Sequence, residues 1–182
     1  MYKRTEQWIY YRDLSSAWLD RVRWRACALL RHRRRRAASS GYDAPVEDVW
    51  RELSTPEAWP EWWPSVKRVS LVREGDERGV GWVRRLEWVT ALPYELAFDM
   101  ETVRVEAPSI IEGRAFGELE GVGRWTLLGE GPRCHVRYDW IVKVTKPWMI
   151  RLSFILKPIF RWNHGVVMER GRRGLVRRLA RV

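Results

Sequence analysis

The chain has 182 residues, 46% hydrophobic and 31% charged, which suits one domain with a sizeable core. Its net charge of +11 sits at the two ends: residues 1–40 carry 11 basic against 3 acidic side chains, residues 169–182 carry 6 against 1, and the stretch between carries 17 against 19. That near-neutral centre argues against a nucleic-acid face there, no apolar run reaches a membrane span, and Cys27 and Cys134 are too far apart to suggest a disulfide framework or a metal-ligand pair, so a reducing cytosol is the expected setting.

In chain order, residues 1–40 read as a basic N-terminal extension ahead of a domain over 41–182. Leu14, Trp18, Val22, Ala26 and Leu29/Leu30 recur at helical spacing and predict an amphipathic helix. It runs into His32-Arg33-Arg34-Arg35-Arg36 and a small-residue linker, Ala37 to Gly41. Such a helix suits an anionic membrane surface, and a solvated or domain-packed helix is the plainer account. A compact helix follows over Ala44–Leu53, with Val46, Val49, Trp50 and Leu53 on one face and Glu47 and Asp48 at its positive end. Thr55-Pro56-Glu57 starts a second short helix that ends near Trp59-Pro60-Glu61-Trp62-Trp63-Pro64.

Strand-like runs then occupy 66–73, 80–90, 94–106, 109–118, 121–129 and 133–145, separated by Gly and Pro breakers. The last alternates most cleanly: Cys134, Val136, Tyr138, Trp140, Val142 and Val144 share one side, and Arg133, His135, Arg137, Asp139 and Lys143 the other. One dry and one wet face mark an antiparallel sheet covered on one side. From Pro147 to Arg178 apolar residues return to helical spacing, with Trp148, Leu152, Ile155 and Ile159 as the leading stripe and Phe160, Val167 and Leu175 continuing it irregularly; Pro158 is expected to kink or break this helix, and Gly171 and Gly174 to loosen its end. The order predicts an α+β fold, a curved antiparallel sheet of six or seven strands wrapped round a long C-terminal helix.

The stretch Ala44-Pro45-Val46-Glu47-Asp48-Val49-Trp50, followed by Trp59-Pro60-Glu61-Trp62-Trp63-Pro64, resembles the opening of START-like (SRPBCC, helix-grip) proteins of the polyketide cyclase/dehydrase type. Gly117 to Trp125, Lys146-Pro147-Trp148, Lys157-Pro158 and Arg161-Trp162-Asn163-His164 are similar to later segments of a bacterial subgroup. The resemblance implies a deep cavity between sheet and last helix, and binding of a lipid, polyketide-like or other apolar ligand. One departure is Arg36 to Asp43, where the family has a regular strand and this composition makes a poor one.

No catalytic constellation, metal-ligand spacing or phosphate-binding loop is present, so neither metal nor cofactor is expected. His164 is the candidate for an acid/base role, against an ordinary hydrogen-bonded helix histidine. Arg84, Glu112 and Arg114 lie within strands; one of them turned inward with a carboxylate partner would suit an acidic head group. The expected ligand-binding wall is Trp82, Leu96, Phe98, Met100, Phe116, Trp125, Tyr138 and Trp140 on strands, with Phe154 and Trp162 on the helix. Three functions remain open: carriage or sensing of an apolar small molecule, a polyketide cyclase or dehydratase activity in the same cavity, and docking of the basic ends to an anionic membrane or, less fittingly, nucleic acid.

Overall fold

The computed structural model describes residues 9–12, 41–145 and 147–181, with side chains for 41–145 and 159–181. The expected amphipathic helix and linker, together with the side chains of Trp148, Leu152, Phe154 and Ile155, lie outside the described residues. In order, the elements are β1 (Ile9–Arg12), β2 (Gly41–Tyr42), α1 (Val46–Ser54), a 3-10 turn (Pro56–Ala58), α2 (Trp59–Trp62), β3 (Val66–Arg73), β4 (Val83–Val89), β5 (Glu95–Glu106), β6 (Ile110–Gly117), β7 (Leu119–Glu130), β8 (Arg133–Val144) and α3 (Pro147–Leu179).

All strands form one antiparallel sheet in the order β1-β8-β7-β6-β5-β4-β3. The edge of β8 is covered in two pieces. Ile9–Arg12 pairs with Asp139–Val142, and Gly41–Tyr42 pairs with Cys134–His135. Tertiary pairing therefore draws Gly41 and Tyr42 of the poor strand before α1 into the sheet, and a second edge segment comes from within the basic extension.

Period-two alternation sorts each strand into an inner and an outer face. On β8, Cys134, Val136, Trp140 and Val142 are buried, whereas Ile141 is exposed. The sheet carries three register shifts that alternation alone does not foretell. A register shift between Thr102 and Arg104 leaves Thr102 and Val105 both facing inward and Val103 exposed, because the extra residue of a bulge reverses parity. Two further shifts bend β3 against β4.

The inner face is filled unevenly. At the β2 end of β8, Cys134, Val136 and Leu127 pack with Val49 and Leu53 of α1 into a solid core. Burial pushes the Cys134 thiol up to about 11, which leaves it an unreactive packing group. Further along β8 the sheet meets α3, with a cavity between them.

The last helix departs from its sequence reading in three ways. It continues through Pro158 to Leu179. Its buried stripe holds the expected Phe160, Val167 and Leu175 together with Asn163, but not Ile159, which is 41% exposed. At 100° per residue Trp162 falls on the opposite side from that stripe, and Ile159 lies at its edge. Gly171 and Gly174 do not loosen the end; they let it dock. A Cβ at Gly171 would stand 2.3 Å from Cε2 of Trp63, and one at Gly174 only 1.8 Å from the Trp62 carbonyl oxygen. That close approach lets Trp63 Nε1 donate to the Val167 carbonyl at 2.9 Å. Arg178 then ties the three helices by pairing with buried Glu52 on α1 at 3.2 Å and with Glu61 on α2 at 3.0 Å.

Candidate ligand-binding cavity

Between the inner face of the sheet and α3 lies a cavity of about 420 Å³. Strands β4 to β8 supply its floor, α3 from Phe160 to Met168 its roof, and Trp50, Trp59 and Trp63 one side. Its volume is within the range of small-molecule pockets.

The wall is an aromatic arc built strand by strand. Trp125 and Tyr138 are direct cross-strand partners and stack with centroids 4.0 Å apart at 23°. Tyr138 continues onto Trp140 at 5.7 Å and 21°, and Trp140 meets Phe98 at 5.9 Å. At the other end Trp63 closes on Trp125 at 6.4 Å and edge-on to Trp88 at 5.0 Å. Tilted, stacked and edge-to-face pairs of this kind are favourable beyond their area. The arc needs a glycine: a Cβ on Gly123, opposite Trp140, would stand 2.6 Å from that ring and 2.7 Å from the Tyr138 hydroxyl. Burial drives the Tyr138 phenol well above its ordinary pKa, so it stays protonated.

Helix α3 brings two polar side chains to the roof. Asn163, 5% exposed, accepts a hydrogen bond from the Ala91 amide at 2.8 Å and donates to the Tyr94 hydroxyl at 3.3 Å. It thereby pins the β4–β5 loop to α3, an arrangement reinforced by Tyr94 packing edge-on against Phe160. His164 lines the cavity, and burial lowers its pKa to about 4, so the imidazole is neutral near pH 7.

The charged side chains at the cavity, among the described residues, are Arg78 and Arg84; no carboxylate lines it. Arg84 is the inward one of the three strand charges singled out from sequence. Its Nε donates to Glu57 of the 3-10 turn at 2.6 Å, and its guanidinium carbon lies 4.8 Å from the Trp82 ring centroid. Glu112 and Arg114 point outward, paired with Arg124 and Glu101.

Of the expected wall, Leu96, Phe98, Met100, Trp125, Tyr138 and Trp140 line the cavity. Phe116 and Trp162 do not; they are 38% and 57% exposed, because Phe116 has outer-face parity on β6 and Trp162 faces away from the α3 stripe. Trp82 supports Arg84 from beside the cavity. Sequence reasoning missed Trp63, Trp88, Tyr94 and Asn163 as parts of the site. For Trp88 the signal was present, since Arg84, Leu86 and Trp88 alternate as one face of β4.

A comparison with curated proteins finds no match. Among solved structures, the chain is similar to a START superfamily protein from Mycobacterium smegmatis (18% identity, 78% of this chain and 93% of that one, TM-score 0.64). It is also similar to the Zhui aromatase/cyclase from a Streptomyces strain (17%, 76% and 90%, TM-score 0.57) and to major latex-like protein 151 from Panax ginseng (15%, 76% and 92%, TM-score 0.55). These likenesses establish the helix-grip fold. The family model described as "Polyketide cyclase / dehydrase and lipid transport" matches residues 37–181. With nearly all of the sheet and the whole of α3 inside that match, the chain belongs to the polyketide cyclase/dehydrase and lipid transport family.

Proposed function

We propose that the protein binds an apolar, ring-containing small molecule in the cavity beneath α3, as a carrier or sensor. The observation that carries this reading is the continuous arc Trp63-Trp125-Tyr138-Trp140-Phe98 around an unfilled volume of about 420 Å³. A core of ordinary packing density leaves few voids larger than a water molecule. Here Gly113 and Gly123 instead keep the floor low. Flat aromatic surfaces offer area with little side-chain entropy to lose on binding, which favours a flat partner. The setting proposed for this role is the cytosol. No helix among the described residues is long and apolar enough to cross a membrane.

A second reading, chemistry of the cyclase or dehydratase type on such a ligand, draws on His164, a neutral imidazole facing the cavity. Mass spectrometry of organic extracts from the full-length purified protein, followed by titration of tryptophan emission with each compound found, tests both. A reproducible apolar compound that binds the wild type and fails to bind Met100→Trp, a cavity-filling variant, is the expected result. Extracts without such a compound, and emission unmoved by a panel of polycyclic ligands, would overturn the binding reading. Unchanged turnover of a confirmed substrate by His164→Ala would reject the histidine's part in the second.

A further inference from the structure

Arg84 is an anomaly on the inner face. Its side chain is only 15% exposed, and desolvating a guanidinium is costly unless its donors are satisfied. One donor is: Nε reaches Glu57 at 2.6 Å. The two terminal nitrogens carry four more N–H groups; no protein acceptor meets them among the described residues, and they are not sealed from solvent. A one-point contact is also an incomplete use of a residue whose planar fork suits two parallel bonds to a carboxylate.

The surroundings fix this group in place. Trp82 lies behind the guanidinium at 4.8 Å, and Trp82 Nε1 donates to the Asp76 carbonyl at 3.0 Å. Asp76 Oδ1 in turn accepts from the amides of Arg78 and Val80 at 3.0 and 2.8 Å, which shapes the β3–β4 loop and brings Arg78 to the cavity. So two arginines face the cavity while Glu57, 42% exposed, stays hydrated outside it. Along β4, Arg84 stands roughly 13 Å from Trp88 at the strand rise of about 3.3 Å per residue. The cavity therefore has a cationic pole and an aromatic body.

We infer that Arg84 is the anchor for the carboxylate of an apolar acid, a ligand with an aromatic or acyl body in the arc and an anionic oxygen terminus at the β4 end. The inference rests on the reading that the cavity takes a ligand, and it adds the ligand's chemical class. Glu57 then acts as a placeholder: it holds the guanidinium in position and competes with the incoming carboxylate.

The test uses the full chain and two probes with the same ring and tether, 1-pyrenebutyrate and 1-pyrenebutanol, read by energy transfer from tryptophan at pH 7.5. The wild type is expected to bind the acid about tenfold more tightly than the alcohol, as a charge-assisted paired hydrogen bond implies. Arg84→Gln is expected to bring the two affinities within about twofold by weakening the acid alone. Glu57→Gln is expected to widen the acid's advantage. Equal affinities in the wild type, or an acid preference that survives Arg84→Gln, would overturn the inference while leaving the cavity reading intact. A preference lost in Arg78→Gln and kept in Arg84→Gln would overturn it too, by moving the anchor to the β3–β4 loop. No binding of either probe would overturn the cavity reading and the inference with it. Should Arg84→Gln fail to fold, an unchanged acid-to-alcohol ratio in Glu57→Gln overturns the anchor.

Discussion

The two faces of the sheet are made by the same strands and have opposite chemistry. Outside, directly paired residues form cross-strand ion pairs: Arg85 with Asp99 through two bonds of 2.8 and 2.9 Å, Arg114 with Glu101, and Arg124 with Glu112. The hydrogen bond from Arg114, helped by the charge of Arg73, holds the Glu101 carboxyl below its ordinary pKa. Inside, the same strands present aromatic rings, two glycines and the single guanidinium of Arg84. Strand parity is thus what lets a chain with 31% charged residues enclose an apolar cavity. Energetically the faces are not equals. Exposed pairs are screened and weak, while inner contacts carry the packing.

The largest effect of breaking that asymmetry is expected at Gly123. Gly123→Ala pushes a methyl group into Trp140 and the Tyr138 hydroxyl and should cost about 2–4 kcal/mol of stability in urea unfolding. Gly113→Ala, on the same face, meets the flexible thioether of Met100 and should cost less than about 1 kcal/mol. Equal losses at the two sites would show that the aromatic arc is not the rigid part of the floor.

The second effect is a pH dependence from the roof. The folded pKa of His164, about 4, lies below the value near 6.5 of an unfolded histidine, so the unfolded chain takes the proton first. The stability contributed by neutral His164 is complete above about pH 6.5 and is lost as pH falls toward 4. Urea unfolding between pH 7 and 4.5 should show a loss of about 1–3 kcal/mol in the wild type and a smaller one in His164→Gln. Glu169, held down to about 2 by its hydrogen bonds from Arg172 and Arg173, acts in a more acidic window and does not confuse the reading. Parallel pH curves for the two proteins would remove His164 as the source.

The smallest effect belongs to the outer face. Arg85→Ala breaks the best-formed exposed pair and should cost under about 1 kcal/mol, shrinking further in 1 M salt. A loss of 2 kcal/mol or more would mean that the outer pairs hold the sheet's curvature.

Much of this contrast was legible before any coordinates. Alternation along 133–145 separates Val136, Tyr138, Trp140 and Val142 from Arg137 and Asp139, and the structure keeps that division. The strand limits of β3 to β8 follow the Gly and Pro breakers closely. The site was legible where a residue lay on an unbroken strand, as with Leu96, Phe98, Met100 and Trp125. It was misread where phase had to be inherited from a longer element. Trp162 and Ile159 are large and apolar, yet both are exposed on α3. Phe116 failed for a different reason: its own strand, where Ile111, Gly113 and Ala115 set the inner parity, puts it outside, and its size outweighed its parity in the reading.

The sequence by itself determined the element order from α1 to α3 and the two-faced character of the strands, because periodicity and turn chemistry are local and survive in one dimension, and its motifs carried the resemblance to the family. Only the tertiary structure decided three things. One is the bulge that puts Thr102 and Val105 on the same side. Another is the use of Gly171 and Gly174 as the seat of α2 on α3. The third is the inward turn of Arg84 against Glu57, 27 residues away. Each depends on what the chain meets from a distance, and a residue's neighbours in space, not its own type, set whether a glycine is a weakness or a seat and whether an arginine is solvated or an anchor.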